Sequence, residues 1–147
     1  IKEQEQEKTA DRWEAPIKDY GVTQEFGENP EYYPRWGGHH GIDLAPFNPS
    51  RTEMVLATFH GTVELEGADP AFPGRGYVVY IIPREKDGLQ VEYYHLKTVP
   101  TVIKEEVVRP GRILGIMGET GFATGPHLHL GVRLNGQYVN PRDYFNL

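Results

Sequence analysis

The chain has 147 residues, of which 38% are hydrophobic and 12% aromatic, so it can form one domain with its own core and is not a disordered chain. Its formal net charge of -6 makes nucleic acid a poor partner, and the absence of cysteine excludes disulfides and thiolate metal sites. No apolar run reaches the roughly 18 residues that a membrane-spanning helix needs, so we expect no transmembrane segment in this chain.

The first segment, IKEQEQEKTADRWE at residues 1–14, is polar on every side. Its residues favour helix, but it lacks the apolar stripe that would pack a helix against a core. We interpret it as a linker or as the end of an upstream helix, with an interaction tail as the less favoured alternative. The domain itself is predicted to cover residues 15–147.

From residue 15 onward, turn-rich stretches alternate with short extended segments. TFHGTVELEG, GYVVYIIP and LQVEYYHL carry the β-branched and aromatic residues of strands, and REKDG predicts a turn between the last two. VIKEEVVRPGRILGIMG predicts two short extended pieces, and LNGQ at residues 134–137 predicts a hairpin turn. Helix is expected at most as a short turn near residues 100–104 or at the C-terminus. The 17 Gly and 12 Pro also suit many short elements, so we predict a mostly β domain with antiparallel hairpins.

Two histidines occur one residue apart in GPHLHLG, at residues 125–131. In a strand, residues i and i+2 face the same side, so His127 and His129 are predicted to point together while Leu128 and Leu130 point into a core. On a helix the same two side chains would diverge by about 200°. The adjoining hairpin favours the strand, and a strand places two imidazoles on one face.

Further candidate ligands lie in GGHHGIDLA and VEYYHLK. His39 and Asp43 are predicted to lie in a loop entering a strand, where the neighbouring glycines allow both groups to approach one ion. His95 is the next candidate, and simple alternation places it on the same face as Tyr93 and Val91. Tyr93 is therefore expected to pack behind His95 rather than to contact substrate.

The other two histidines are not assigned to the site. His40 adjoins His39 but is predicted to point away from the site, and His60 is predicted to lie at a turn or a strand end. Any one of the six histidines alone is most simply an ordinary surface or core residue. The combination of His-x-His, His-x-x-x-Asp and one more histidine favours a metal centre instead.

Three kinds of metal site use ligands of these types: catalytic zinc, structural zinc and mononuclear iron. Three protein ligands with an open fourth position are typical of catalytic zinc, whereas a structural zinc site is normally closed by four protein ligands. Two histidines and one carboxylate also form the facial triad of mononuclear iron oxygenases, although that class leaves the additional histidines unexplained.

The sequence resembles the lysostaphin-like zinc metallopeptidases of metallopeptidase family 23, the LytM-type domains, which cut peptide bridges in bacterial peptidoglycan. The matching text is FG at 26–27, HHGIDLA at 39–45, HGTV at 60–63, YYHL at 93–96, PGRILGIMGETGFATGPHLHLGV at 110–132 and NP at 140–141. The resemblance covers roughly residues 15–147.

This resemblance implies both a fold and a set of residue roles. The implied fold is a compact antiparallel β-sheet domain of the barrel-sandwich or duplicated hybrid motif type, with a groove walled by loops. One Zn²⁺ per chain would be held by His39, Asp43 and His129, and the catalytic residues would be His127 and His95.

The function implied is a zinc-dependent endopeptidase that hydrolyses peptide cross-links or bridges of peptidoglycan. The expected partner is a peptidoglycan peptide, the chain is expected to be a monomer, and its location is the cell envelope, periplasmic or extracellular. The alternative is a non-catalytic cell-wall-binding or activator module on the same fold, which the presence of all five site residues disfavours. The segments FGENPEYYPRWGGHHG and EGADPAFPGRGY are elaborated relative to the family and are predicted to be either groove walls or ordinary surface loops.

Overall fold

A computed structural model describes residues 11–48, 50 and 53–147. The linker predicted for residues 1–14 therefore lies mostly outside the described residues. Trp13 and Glu14 are described, and they form the first strand, with the indole of Trp13 centred 4.3 Å from the Phe59 ring and 5.2 Å from the Phe145 ring. Trp13 packs against the core, and the linker at residues 1–14 and the domain at residues 15–147 stay predictions.

The described residues are mostly β, as the sequence predicts. The strands in chain order are β1 (Trp13–Glu14), β2 (Tyr20–Gln24), β3 (Ile42–Pro46), β4 (Met54–Leu56), β5 (Gly61–Gly67), β6 (Tyr77–Pro83), β7 (Leu89–Leu96), β8 (Val107–Val108), β9 (Ile113–Ile116), β10 (Leu128–Leu134), β11 (Gln137–Val139) and β12 (Phe145–Asn146). Two short 3₁₀ turns, Pro73–Arg75 and Pro141–Asp143, are the helical elements of this part of the chain. None of the helices in the described ranges has the length and apolar character needed to cross a membrane.

The main sheet is open and antiparallel throughout. Its strand order is β2-β3-β10-β7-β6-β5-β8, and β11 pairs with β10 as a hairpin. Two small two-stranded sheets accompany it, β4 with β9 in antiparallel and β1 with β12 in parallel pairing. The antiparallel β prediction is confirmed, and the order shows that β10 lies between β3 and β7, the strands that carry Asp43 and His95.

The predicted turns are found where the local residues require them. Asn135 and Gly136 connect β10 to β11 with φ angles of 50° and 87°. Two consecutive positive φ angles are the mark of the tight hairpin turn that Asn-Gly favours, because its twist matches that of the strands. The REKDG segment likewise connects β6 to β7, and Arg-Pro-Gly separates β8 from β9.

Burial on one face of the sheet fixes which side chains face the other side. Leu128 and Leu130 of β10 are fully buried in the core, together with Leu44 of β3 and Val91 of β7. Burying each such leucine contributes roughly 2 kcal/mol, and a one-residue slip of β10 would exchange the leucines for histidines. The core therefore holds the register that presents His129 on the opposite face.

Candidate metal centre and substrate groove

Three aligned side chains from three neighbouring strands form the base of the site. In the register of the sheet, His129 of β10 is directly opposite Asp43 of β3 on one side and Tyr94 of β7 on the other. Directly opposed residues on one face of a sheet have side chains in contact. Asp43 Oδ1 is 3.1 Å from His129 Nδ1, and the Tyr94 ring is stacked on the His129 ring at 4.4 Å and 9°.

His39 reaches the same point from the loop that leads into β3. Its Nδ1 is 3.2 Å from the backbone carbonyl of Glu25, and its Nε2 is 3.3 Å from Asp43 Oδ1. Glu25 is itself fixed because both of its carboxylate oxygens accept hydrogen bonds from Arg142, at 2.9 and 2.8 Å. The contact with the carbonyl orients the His39 ring so that Nε2 faces the carboxylate.

Gly41 leaves room for this arrangement. A Cβ atom at that position would lie 2.5 Å from His129 Nε2 and would also overlap the carbonyl oxygen of Leu130. Any side chain at residue 41 would therefore displace the His129 ring from its position between Asp43 and Tyr94. With glycine there, one ligand atom from each of His39, Asp43 and His129 lies within 4.8 Å of the others, and all three groups are buried or half-buried.

The ionisation states suit a metal centre. Burial raises the pKa of Asp43, but the hydrogen bonds from His129 and His39 outweigh it and hold that pKa below its usual range. Burial lowers the pKa of His129 to about 4, against the opposing effect of Asp43. The site thus offers an anionic oxygen and a neutral imidazole near pH 7, which are the forms that bind a metal cation. These residues therefore fit a divalent metal ion.

His95 and His127 lie beside the three candidate ligands, with ring centroids 4.8 Å apart. The Nδ1 atoms of both are close to backbone carbonyls, at 2.7 Å from Thr120 for His95 and 3.0 Å from Gly125 for His127. The Nε2 of His127 is 3.8 Å from Asp43 Oδ2. Burial lowers the pKa of His95, more than its contact with Thr120 raises it. The structure thus brings together all five side chains that the sequence selected.

The prediction that His95 shares a face with Tyr93 and Val91 is wrong. His95 has a φ of 66°, which breaks the alternation at the end of β7 and turns its ring to the face opposite the core. Such a φ is uncommon for a residue with a side chain and indicates local strain. Tyr93 lies fully in the core with no exposed area, so it packs away from the site, and Tyr94 takes the place beside the metal centre.

The prediction that His40 points away from the site is also wrong. Its ring is 4.6 Å from the His129 ring, 5.1 Å from Trp36 and 5.8 Å from Tyr94. Burial lowers the pKa of His40 to about 2, so it is neutral in the folded protein. His60, by contrast, lies immediately before β5 as expected, and its carbonyl accepts from the amide of Arg84.

A buried carboxylate lies behind Tyr94. Glu92 has no exposed area, and its Oε1 accepts hydrogen bonds from the hydroxyls of Tyr94 and Tyr138, at 2.6 and 2.7 Å. Its Oε2 accepts from Gln90 at 2.8 Å, and Arg75 Nη1 is 3.4 Å from Oε1. A buried charge is tolerated only when it is paired and hydrogen-bonded, and here both conditions hold. The network fixes the hydroxyl of the ring that stacks on His129.

A cleft of about 560 Å³ opens above these groups. Its walls carry aromatic rings from three loops: Trp36 from the first elaborated segment, Phe72 from the second, and Phe122 from the loop before β10. Trp36 is 37% and Phe122 is 91% exposed, so both rings are available to a bound molecule. The two elaborated segments thus line the groove rather than forming ordinary surface loops.

The model of peptidase family M23 matches residues 37–141, which is well over half of the chain and includes all five site positions. The chain belongs to peptidase family M23. The predicted resemblance is confirmed, and membership of a peptidase family disfavours the iron oxygenase that a similar set of ligands would allow. The metal-binding and catalytic roles of the individual residues in this M23 domain stay predictions.

Individual relatives agree with the family. Mpg of Neisseria meningitidis serogroup B, a DD-carboxypeptidase/endopeptidase, is 38% identical over 106 residues, which are 72% of this chain and 22% of Mpg. The peptidoglycan DD-endopeptidase ShyC of Vibrio cholerae serotype O1 is 38% identical over 63 residues, 43% of this chain and 14% of ShyC. A crystal structure of a mutant catalytic domain of the prophage-encoded M23 protein EnpA from Enterococcus faecalis superimposes with a TM-score of 0.68 and 31% identity, covering 84% of this chain and 90% of that one. This M23 chain thus spans about a fifth of the length of Mpg and a smaller share of ShyC.

Several residues in the groove or behind its wall were not selected from the sequence of this M23 domain. The clearest are Glu92 and Tyr94, for which a signal exists: alternation along QVEYY places them together on the face opposite Val91 and Tyr93. Arg75 and Tyr33 have no comparable signal, because their places depend on how loops distant in sequence meet over the sheet. Tyr33 lines the groove with its ring 5.1 Å from His39 and its hydroxyl bonded to Gln24.

Proposed function

We propose that this chain is the catalytic domain of a zinc-dependent endopeptidase that hydrolyses peptide cross-links or bridges of bacterial peptidoglycan. The observation that carries the proposal is the meeting of His39, Asp43 and His129 with two further imidazoles in one groove of an M23 peptidase. The names of Mpg and ShyC support the choice of peptide substrate. Action in the cell envelope, periplasmic or extracellular, follows from that substrate, and we propose that the domain acts as a monomer.

Zinc is the metal that this donor set suits best. Imidazole and carboxylate are both zinc ligands, and a catalytic zinc commonly keeps three protein ligands with one position for water. His39 would bind through Nε2, because its Nδ1 is held by the Glu25 carbonyl, whereas His129 would bind through Nδ1, which faces Asp43. One zinc ion per chain is proposed.

The residues around the metal centre can perform the proton transfers of peptide hydrolysis. When bound, zinc lowers the pKa of a coordinated water to about 7 and polarises the scissile carbonyl. His95 and His127 are each oriented by a backbone carbonyl at Nδ1, which directs Nε2 toward the groove. One of them accepts the proton of the attacking water, and the other donates to the developing oxyanion or to the leaving amine.

Hydrolysis of defined muropeptides tests this function. Purified protein is incubated with cross-linked muropeptides of different bridge chemistry, with and without a chelator, and the products are identified by mass spectrometry. We expect cleavage of a peptide bond, loss of cleavage after metal removal and recovery on adding Zn²⁺. Cleavage that survives exhaustive metal removal would contradict the mechanism, and binding of muropeptide without cleavage would favour the non-catalytic module.

A further inference from the structure

The groove has few negative charges in a protein that has many. The whole chain carries 21 acidic and 15 basic residues, yet Asp43 is the only carboxylate among the described residues that line the groove. That carboxylate belongs to the candidate metal centre, and its charge is offset when a divalent cation binds. The remaining groove wall is neutral or positive, which favours a substrate that carries negative charge.

Two arginines contact the aromatic wall of the groove, and only one of them is neutralised. The guanidinium carbon of Arg75 lies 3.9 Å from the Phe72 ring centre, but its Nη1 is 3.4 Å from Glu92 and 3.7 Å from Asp69. Arg75 also donates to the hydroxyls of Tyr80 and Tyr138 and is 6% exposed. It therefore supports the wall and has no free donor face to offer a ligand.

Arg35 differs from Arg75 both in its exposure and in its ion pairing. Its guanidinium carbon lies 5.0 Å from the Trp36 ring centre and 4.9 Å from the Phe72 ring centre, and both rings line the groove. Arg35 itself lines an adjoining pocket that shares Trp36 and His40 with the groove. Arg35 is exposed, and it forms no ion pair with any residue in the described ranges. Stacking on two rings restricts the guanidinium plane while leaving its edge donors free, which is the geometry that binds a carboxylate.

The loop that carries Arg35 is held in place and is continuous with the metal centre. The backbone amides of Trp36, Gly37 and Gly38 all donate to the carbonyl of Tyr33, at 3.0 to 3.2 Å. The backbone amide of His39, the first candidate ligand, then donates to the backbone carbonyl of Glu28 at 2.8 Å. Arg35 is four residues from His39 on an ordered segment, so its position relative to the metal centre is fixed by the fold.

We propose that Arg35 binds a carboxylate of the peptide substrate and makes the enzyme prefer anionic cross-links over uncharged bridges. The proposal rests on the function proposed above and adds the chemical class of the substrate. The carboxylate has two possible sources with the same chemistry, a carboxylate carried within the cross-link and the free C-terminus of a peptide stem. Arg35 binds either one through paired N–H···O hydrogen bonds.

Matched substrate pairs test the role of Arg35. Each pair consists of one cross-linked peptide with a free carboxylate and the same peptide with that carboxylate converted to the amide. One pair is changed within the cross-link and the other at the C-terminus. kcat and KM are measured for the wild type, Arg35→Gln, Arg35→Lys and Arg84→Gln. Arg84 is a control that removes the same charge at an exposed position, 3.7 Å from Glu85, and it lines neither the groove nor the adjoining pocket that Arg35 lines.

We expect the wild type to favour the carboxylate member of one pair by about 10-fold in kcat/KM, mostly through KM, because a charge-assisted hydrogen bond has that strength. Arg35→Gln should abolish the preference, Arg35→Lys should keep part of it, and Arg84→Gln should keep all of it. The pair that shows the preference identifies the source of the carboxylate. Equal use of both members of both pairs by the wild type, or an unchanged preference in Arg35→Gln, would overturn the proposal.

A binding measurement separates this proposal from the proposed catalytic function. The same peptides are titrated calorimetrically into His127→Ala and into the double variant with Arg35→Gln. If His127→Ala binds the carboxylate member more tightly and Arg35→Gln abolishes this preference, the result supports carboxylate binding by Arg35. If the wild type hydrolyses none of the peptides, that result counts against the catalytic proposal alone. Equal affinity for the carboxylate and amide members of both pairs overturns carboxylate binding by Arg35, whichever peptides the enzyme hydrolyses.

Discussion

His39 and His129 each place a ring nitrogen 3.1 to 3.3 Å from Asp43 Oδ1, whereas the Nδ1 atoms of His95 and His127 are close to backbone carbonyls and the Nε2 of His127 is 3.8 Å from Asp43 Oδ2. Removing His95 or His127 should leave the metal ligands intact while removing a proton-transfer group. We predict that His127→Ala retains zinc and lowers kcat by at least about 100-fold, which is the usual size of general acid–base catalysis. Metal content by mass spectrometry and turnover on a muropeptide measure the two effects, with His60→Ala as a control outside the site. Loss of zinc in His127→Ala would show that this residue is a ligand.

Tyr94 is the residue that most directly supports His129. Its ring lies 4.4 Å from the imidazole in a nearly parallel stack, and its hydroxyl donates to Glu92 at 2.6 Å. We predict that Tyr94→Leu, which removes both contacts, weakens zinc affinity by about 10-fold, a typical effect for groups that orient a ligand. Tyr94→Phe keeps the stack and should lose less. Competition with a fluorescent chelator measures both affinities, and wild-type affinity in Tyr94→Leu would rule out this supporting role.

The contrast between Tyr93 and Tyr94 shows where reading single residues succeeds and where it fails. Alternation correctly separates His129 from Leu128 and Leu130, since β10 is regular there. It fails for His95, because the positive φ of His95 itself turns its side chain to the opposite face of the sheet. The local sequence YYHL does not predict that angle. The sequence therefore selects the five side chains but assigns the wrong tyrosine to them.

At the scale of the element, β7 carries a carboxylate, Glu92, that has no exposed area. Glu92 accepts hydrogen bonds from three side chains and pairs with Arg75, which is itself buried. Glu92→Gln removes the negative charge and leaves the arginine with Asp69 as its remaining carboxylate. We predict a loss of about 3 kcal/mol in the free energy of unfolding, because breaking a buried ion pair strands a charge.

Urea denaturation of the metal-free protein measures the Glu92→Gln effect. The matched control is Glu64→Gln on the exposed side of β5, which should change stability by no more than about 0.5 kcal/mol. If Glu92→Gln were as stable as the control, the carboxylate would have no structural role. A fall in zinc affinity along with stability would show that the network also holds Tyr94 against His129.

Most strands can be recognised from local pattern, whereas their order cannot. The β6, β7, β10 and β11 segments have the composition and turns of hairpins, and the structure contains them. The placement of β10 between β3 and β7 depends on pairings between residues more than 30 apart in the chain, which no local signal encodes. Asp43, His129 and Tyr94 are neighbours because of that strand order. The prediction that Asp43 and His129 bind the same metal ion therefore came from the family resemblance and not from alternation.

At the scale of the whole molecule, buried neutral histidines link stability to pH. Burial lowers the pKa of His129 to about 4 and of His40 to about 2, and it also lowers that of His95, from an ordinary value of 6.5. Below pH 6.5 the unfolded chain takes up protons that the folded chain does not, so acid favours unfolding. We predict that the metal-free protein loses stability steadily as the pH falls from 6.5 toward 4.5. The melting temperature of chelator-treated protein, recorded at constant ionic strength, should decline across this range, and a flat or rising profile would contradict the prediction.

We propose that His39, Asp43 and His129 together hold one metal ion and that His95 and His127 are not ligands. Calorimetric titration of Zn²⁺ into chelator-treated protein tests it most directly, using the wild type and the five single alanine variants. We expect one tight site per chain in the wild type, in His95→Ala and in His127→Ala, and no tight site in His39→Ala, Asp43→Ala or His129→Ala. Tight binding that survives in any of those last three variants, or its absence from the wild type, would contradict the account.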